Sequence, residues 1–238
     1  MRRYGQFCPV AKAAEVFCER WTPLVIRELV WGSTRFSEIQ RGVPLMSPSL
    51  LTRRLRTLEE EGVVERRHAE GSGAATYHLT EAGREFAPMI QALGIWGQRW
   101  SRRDLREDEI DLDLLVWALE RSVDATAFGA RRAVVEIDFT DAPANKRRWW
   151  FLNEGGKCVL CIDDPGFGID LYLAATVADM TYVLRGDLSL AQVLETDRLE
   201  AIGELSARKA LGPWRSLSPL SKIPSARADG WPKVEISA

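Results

Sequence analysis

The stretch from Met46 to Gly62 constrains the fold more than any other, because both ends of a helix are marked in it. Ser47 suits the N-cap, where its hydroxyl accepts a hydrogen bond from a free first-turn N–H. Pro48 suits the first helical position, where a missing N–H costs nothing. Gly62 can take the left-handed conformation that ends a helix. At about 100° per residue, Leu51, Leu55 and Leu58 fall on one side. Ser49, Thr52, Arg53 and Arg56 share an arc of roughly 100° on the other. Two guanidiniums and two hydroxyls on one face are groups that bind phosphates and purine edges in a DNA major groove. Arg54 lies about 100° round from Arg53 and is expected to face a flank. Taken alone, the stretch fits a solvated amphipathic helix equally well.

The flanking chain favours DNA. A helix is expected from Val10 to Glu19, with Val10, Ala13, Ala14, Phe17 and Cys18 inward. Thr22 as N-cap and Pro23 as first residue open a second helix, with Leu24, Val25, Leu29 and Val30 in its core and Gly32 at its end. A short third helix starts at Phe36, with Arg35 at its exposed start, and runs up to Gly42. Two helices joined by a short turn, the second basic outside, form a helix-turn-helix. Val63 to His68 and Ala75 to Leu79 then read as two strands around a flexible tip, Glu70 to Ala74. A hairpin directly after a recognition helix is a wing. Its Arg66 and Arg67, with Arg35, are expected on DNA phosphates.

Thr80 opens the next helix, in which Phe86, Met89, Ile90, Leu93, Trp96, Gly97 and Trp100 recur at 3/4 spacing. This stripe has more apolar area than a small domain needs, so the helix over 84–100 is expected to form a homodimer interface. A twofold dimer places two recognition helices roughly 34 Å apart, one turn of DNA.

Taken together, Cys8-Pro9-Val10, Trp21-Thr22, Arg35 to Ile39, Leu51 to Arg56, Leu58-Glu59, Gly62 to Arg66 and Tyr77 to Gly83 resemble the HxlR-type winged-helix regulators over about the first 100 residues. The resemblance implies a dimeric bacterial transcription regulator with the helix at 48–60 in the major groove. In some members of that family a cysteine at the position of Cys8 is the sensing thiol. Cys8 also lies near a helix N-terminus, where a thiolate is favoured. Redox sensing through Cys8, with a purely structural C-terminal domain, is therefore the alternative reading.

Charge separates the chain into halves. Residues 1–106 carry 17 Lys+Arg against 12 Asp+Glu, a net +5; residues 107–238 carry the remaining 15 against 22, a net −7. A basic half joined to an acidic half suggests two domains, 1–106 and 107–238, with double-stranded DNA as partner of the first. No apolar run approaches the roughly 20 residues that span a bilayer, and no apolar signal segment follows the basic N-terminus. A cytoplasmic protein without a membrane partner is expected.

The second domain opens with a helix over 111–119. Ala133, Val135, Ile137 and Phe139 alternate inward, with Glu136 and Asp138 outward. Further strands follow at 148–153, 157–162 and 169–174, with a hairpin turn at Glu154-Gly155-Gly156. Thr176 caps a helix, Ser189 to Gln192 is a capping box, 199–202 is a short strand, and Ser206 caps a last helix through Leu211. The tail from Gly212 reads as irregular. Strands followed by helices argue an α+β fold: an antiparallel sheet with helices on one face. The run from Leu171 to Leu211 is similar to the sterol-carrier-protein-like (SCP-type) fold, which implies a cleft for an apolar molecule. Trp117, Trp149, Trp150, Phe151, Phe167 and Tyr172 are its candidate lining residues. Trp149 and Trp150 are adjacent on one strand and must face opposite sides.

No constellation for catalysis is evident, and neither a cofactor nor a metal is expected. His68 and His78 both fall in the wing, and Asp163-Asp164 precedes Pro165-Gly166, a turn. Cys158 and Cys161 lie in a strand at a spacing that puts the thiols on opposite faces, with no second such pair to complete a zinc site. The chain therefore reads as a homodimeric, sequence-specific DNA-binding regulator whose C-terminal domain senses a small apolar ligand.

Overall fold

Cap residues and prolines set the helix starts in the computed structural model, which describes residues 4–68, 75–215 and 218–226. Two units form, residues 1–96 and 97–238.

In the first unit, α1 (Pro9–Phe17), α2 (Thr22–Val30), α3 (Phe36–Gly42) and α4 (Pro48–Glu60) precede the hairpin β1 (Val64–His68) and β2 (Ala75–Leu79). Two helices follow, α5 (Glu81–Glu85) and α6 (Ala87–Trp100), the last turn of which belongs to the second unit. Val25, Ile26, Ile39, Leu51, Leu55, Leu58 and Val64 make the core. The expected single helix after Thr80 is two, broken at Phe86. Pro88 has no N–H to offer the carbonyl of Arg84, so a continuous helix would lose a bond there. The stripe expected in α1 is also corrected: Val10, Ala13 and Cys18 are exposed, and Phe17, stacked on Phe86 with ring centroids 3.4 Å apart, is the main anchor. Thr22 does not cap α2. It is the first helical residue, after Trp21 in a left-handed conformation (φ 76°), and its buried hydroxyl has no partner.

The second unit carries α7 (Leu112–Ser122), β3 (Ala133–Phe139), β4 (Arg148–Glu154), β5 (Lys157–Cys161), β6 (Leu171–Ala175), α8 (Val177–Arg185), α9 (Leu190–Glu195), β7 (Leu199–Gly203) and α10 (Leu205–Trp214). Asp111, Thr176 and Ser189 cap α7, α8 and α9 through their side chains. Ser206 does not cap α10, which begins one residue earlier and runs through Pro213 to Trp214. A 3-10 turn at Pro219–Lys222 follows.

The strands form one sheet in the order β5-β4-β3-β6-β7. It is mixed rather than antiparallel, because β3 and β6 run parallel. The connection from β5 to β6 passes back over two strands and enters on the far side of β3, so β6 points the same way as β3. One sheet face packs on α7, α8, α9 and α10: Val135, Ile137, Phe139, Trp149, Phe151, Leu171 and Leu173 meet Leu119, Met180, Val183, Leu211 and Trp214. Trp214 donates its indole N–H to buried Asn153 at 2.8 Å. Glu136 and Asp138 occupy the other face, as their alternation requires. They are not solvated, however: they are 4% and 2% exposed.

Among the described residues, no helix is long and apolar enough to cross a membrane, and no cluster of His, Cys, Asp and Glu could hold a metal ion.

Candidate nucleic-acid interface

The two ends of α4 are fixed as its sequence implies. The Ser47 hydroxyl accepts the Leu50 N–H at 3.3 Å, and Gly62 stands at φ 70°. Leu51, Leu55 and Leu58 are buried, while Ser49, Thr52, Arg53 and Arg56 are all exposed. Thr52 donates its hydroxyl to the Pro48 carbonyl at 2.9 Å. Arg56 pairs with Glu60 at 3.0 Å across one exposed turn, a contact that water screens and a phosphate can replace. Arg54 turns away from this face, as its position predicts: it is buried and pairs with Glu19 at 3.1 Å.

The helix-turn-helix is held from behind by charge. Glu28 is buried, accepts from Arg27 at 2.8 Å, and Arg27 donates onward to the Gly42 carbonyl at 2.7 Å. This ties the α2 interior to the last residue of α3. A Cβ on Gly42 would sit 2.1 Å from the Glu28 side chain, so only glycine fits there.

The wing is tied to both helices of the motif. Arg66 stands opposite Tyr77 in the β1–β2 ladder. On its other edge β2 meets the residues before α3: Tyr77 donates its N–H to the Thr34 carbonyl at 2.8 Å, and Arg35 bridges Thr76. The same strand therefore registers Arg35 on one side against Arg66 and Arg67 on the other. All three arginines are exposed; Arg67 pairs with Glu65. The proposed tip, Glu70 to Ala74, lies outside the described residues. His68 is exposed, and His78 hydrogen-bonds Thr76 at 3.0 Å.

A cleft of about 300 Å³ separates helix from wing, lined by Thr52, Arg56, Glu59, Arg66 and Tyr77. It joins residues from the helix face and the wing that lie apart in sequence. Tyr77 and Glu59 carry part of the family resemblance but are not among the residues expected on DNA. Period-two alternation does place Tyr77 on the face of Arg66, but only once the hairpin register is known.

The six aromatic residues expected around a ligand do not come together. Trp149 and Phe151 lie on the helix-covered side of the sheet and Trp117 is buried in α7, while Trp150 and Tyr172 point to the opposite side. Phe167 sits in the segment between β5 and β6, its ring 4.1 Å from the Arg132 guanidinium. Cys158 faces the helix side, where burial pushes its thiol up to about 12; Cys161 faces the other side. Cys8 is half-buried at the N-cap of α1.

A family model described as HxlR-like helix-turn-helix matches residues 16–105. The HTH-type transcriptional regulator YvaP of Bacillus subtilis (strain 168) is 37% identical over 98 residues, 40% of this chain and 91% of YvaP. An HTH-type regulator of Methanothermobacter thermautotrophicus is 37% identical over 94 residues, 39% of this chain and 72% of that protein. The oxidized form of the redox regulator HypR is a solved structure with 33% identity that covers 41% of this chain and 100% of its own, at a TM-score of 0.37.

Proposed function

The chain belongs to the HxlR-like helix-turn-helix family and is a DNA-binding transcription regulator, and from that premise we propose that it binds a specific operator as a homodimer and releases or holds it in response to a small molecule. The observation that carries the reading is the cleft between α4 and the wing. It places Thr52 and Arg56 of the helix opposite Arg66, beside the exposed Ser49 and Arg53. In this reading Ser49, Thr52, Arg53 and Arg56 contact base edges and backbone in the major groove, and Arg35, Arg66 and Arg67 contact phosphates.

The dimer is proposed through α6, the helical part of the stretch 84–100. Met89, Leu93 and Trp96 are each more than half exposed on one stripe of α6, an unusual cost for a folded monomer. Sedimentation of the purified protein tests this, and substituting Leu93 and Trp96 by polar residues should yield monomers.

The second unit is proposed to be a sterol-carrier-like sensor of a largely apolar small molecule. The helices gathered on one sheet face support that reading, while the six expected aromatics are divided between its two faces. Occupancy would bias the dimer between two spacings of its recognition helices, and the ligand and DNA would then weaken or strengthen each other's binding equally. The test is binding-site selection from random DNA, then gel-shift titration with and without the molecule that co-purifies.

A second reading is redox control through Cys8. It rests on one observation: the thiol is free and half-buried at the N-terminus of α1, beside the fully exposed Phe7. Oxidation there would alter an apolar surface that a partner subunit could cover. A diamide response that persists in Cys8→Ser would exclude it.

A further inference from the structure

The sheet face without helices carries a row of side chains that runs across all five strands. Register places Cys161, Trp150, Glu136, Tyr172 and Ile202 side by side. Glu136 stands at the centre with an aromatic ring on each side. It is 96% buried, and the group facing its carboxylate is the Arg148 guanidinium at 3.6 Å, too long for a hydrogen bond. The buried indole N–H of Trp150, its cross-strand neighbour, is close enough to favour the Glu136 charge but makes no full hydrogen bond. Burial outweighs what Arg148 and the Trp150 indole give this carboxylate, so its charge is costly there.

Its neighbours are not free to compensate. Asp138 is held by the Arg147 guanidinium and by the Tyr172 hydroxyl at 3.1 Å, and these bonds fix the Tyr172 ring beside Glu136. Asp138 lies 3.9 Å from the same Arg148. Asp164, from the segment between β5 and β6, adds a third carboxylate close enough to disfavour the Glu136 charge. Two carboxylates, Glu136 and Asp138, face two guanidiniums, and that of Arg147 is committed to Asp138. Arg148 itself is held by contacts of 3.6 and 3.9 Å, with a side chain 59% exposed. It is a loosely held, largely exposed cation that stands opposite Asp138 and reaches toward Glu136.

We propose that this row, Trp150–Glu136–Tyr172, is a binding site for an organic cation, whose charged nitrogen takes the place of the Arg148 guanidinium over Glu136 while its apolar body lies on the Trp150 and Tyr172 rings. The chemistry is that of a cation held by aromatic faces and a desolvated carboxylate together. The inference rests on the sensing role proposed for the second unit and gives that sensor a face and a ligand class. Direct binding is measured apart from DNA release, so that a failure of one is distinguishable from a failure of the other.

The test is ligand-observed NMR titration of the full chain with benzyltrimethylammonium and with neopentylbenzene, its neutral carbon isostere. Wild type should bind the cation and not the isostere. Glu136→Gln should weaken binding about tenfold or more, and Arg148→Gln should tighten it several-fold by vacating the position. Unfolding curves for each variant separate loss of the site from loss of the fold, and Trp150→Leu provides a second variant that leaves the carboxylates intact. Equal binding of both probes, or unchanged affinity in Glu136→Gln, would overturn the cation site while leaving an apolar sensor standing. Absence of cation binding to both wild type and Arg148→Gln would overturn it as well.

Discussion

The Thr80 hydroxyl donates to the Gly62 carbonyl at 2.6 Å, and the same oxygen accepts the Gly83 N–H at 3.2 Å. One side chain thus joins the end of the recognition helix, the foot of the wing and the start of α5. Thr80→Val should cost about 1–2 kcal/mol through loss of the cap and this clamp. Thr80→Ser should recover most of it. Urea unfolding reads the difference, and equal curves for Val and Ser variants would remove Thr80 from this role.

Two glycines of the same unit admit no side chain. A Cβ on Gly83 would stand 2.2 Å from the Val63 carbonyl oxygen, which is backbone and cannot swing aside. A Cβ on Gly42 would stand 2.1 Å from the carboxyl carbon of buried Glu28 and 2.3 Å from one of its oxygens. Gly83→Ala and Gly42→Ala should each destabilise by about 2–4 kcal/mol. For Gly42 the additional Glu28→Gln change should recover only part of this, since the amide fills the same space.

The sheet acids should show opposite pH signatures. Burial, outweighing Arg148, holds the Glu136 carboxyl above its ordinary 4.5. The folded state therefore favours the protonated acid, and the stability it adds is complete below about 4.5 and lost as pH rises through the folded value. Glu136→Gln should raise stability at pH 7, with an advantage that shrinks in acid. For Asp138, burial pushes the carboxyl up, but the bonds from Arg147 and Tyr172 outweigh it and hold the value below the ordinary 3.8. Its contribution is present above 3.8 and lost as pH falls through the folded value. Asp138→Asn should cost about 2 kcal/mol at pH 7 and progressively less in strong acid. Parallel pH profiles for the two variants would contradict this account.

What the sequence revealed followed the range of the forces involved. α4 was legible with both ends and both faces, because its cap, its Pro48 and its leucine period all act within a few residues. Arg54 could be separated from Arg53 for the same reason. The parallel pairing of β3 with β6 was not legible, since a nine-residue connection (162–170) permits either direction and only the completed sheet selects one. Glu136 and Asp138 read as outward, and they do leave the helix-covered face. They are buried there all the same, which period-two alternation cannot report. The α1 stripe failed for a related reason: periodicity finds an apolar face but not whether the same subunit covers it, and Val10 is left 76% exposed. Tyr77 entered the cleft only through hairpin register.

The central claim is that the exposed face of α4 reads DNA. Its most direct measurement is gel-shift affinity of Arg53→Ala and Arg56→Ala for a site selected by the wild-type protein, with folding checked by circular dichroism. Each substitution should weaken operator binding by about 1–3 kcal/mol, while Arg54→Ala should act through stability instead. Unchanged operator affinity in folded Arg53→Ala and Arg56→Ala protein would contradict the assignment of that face.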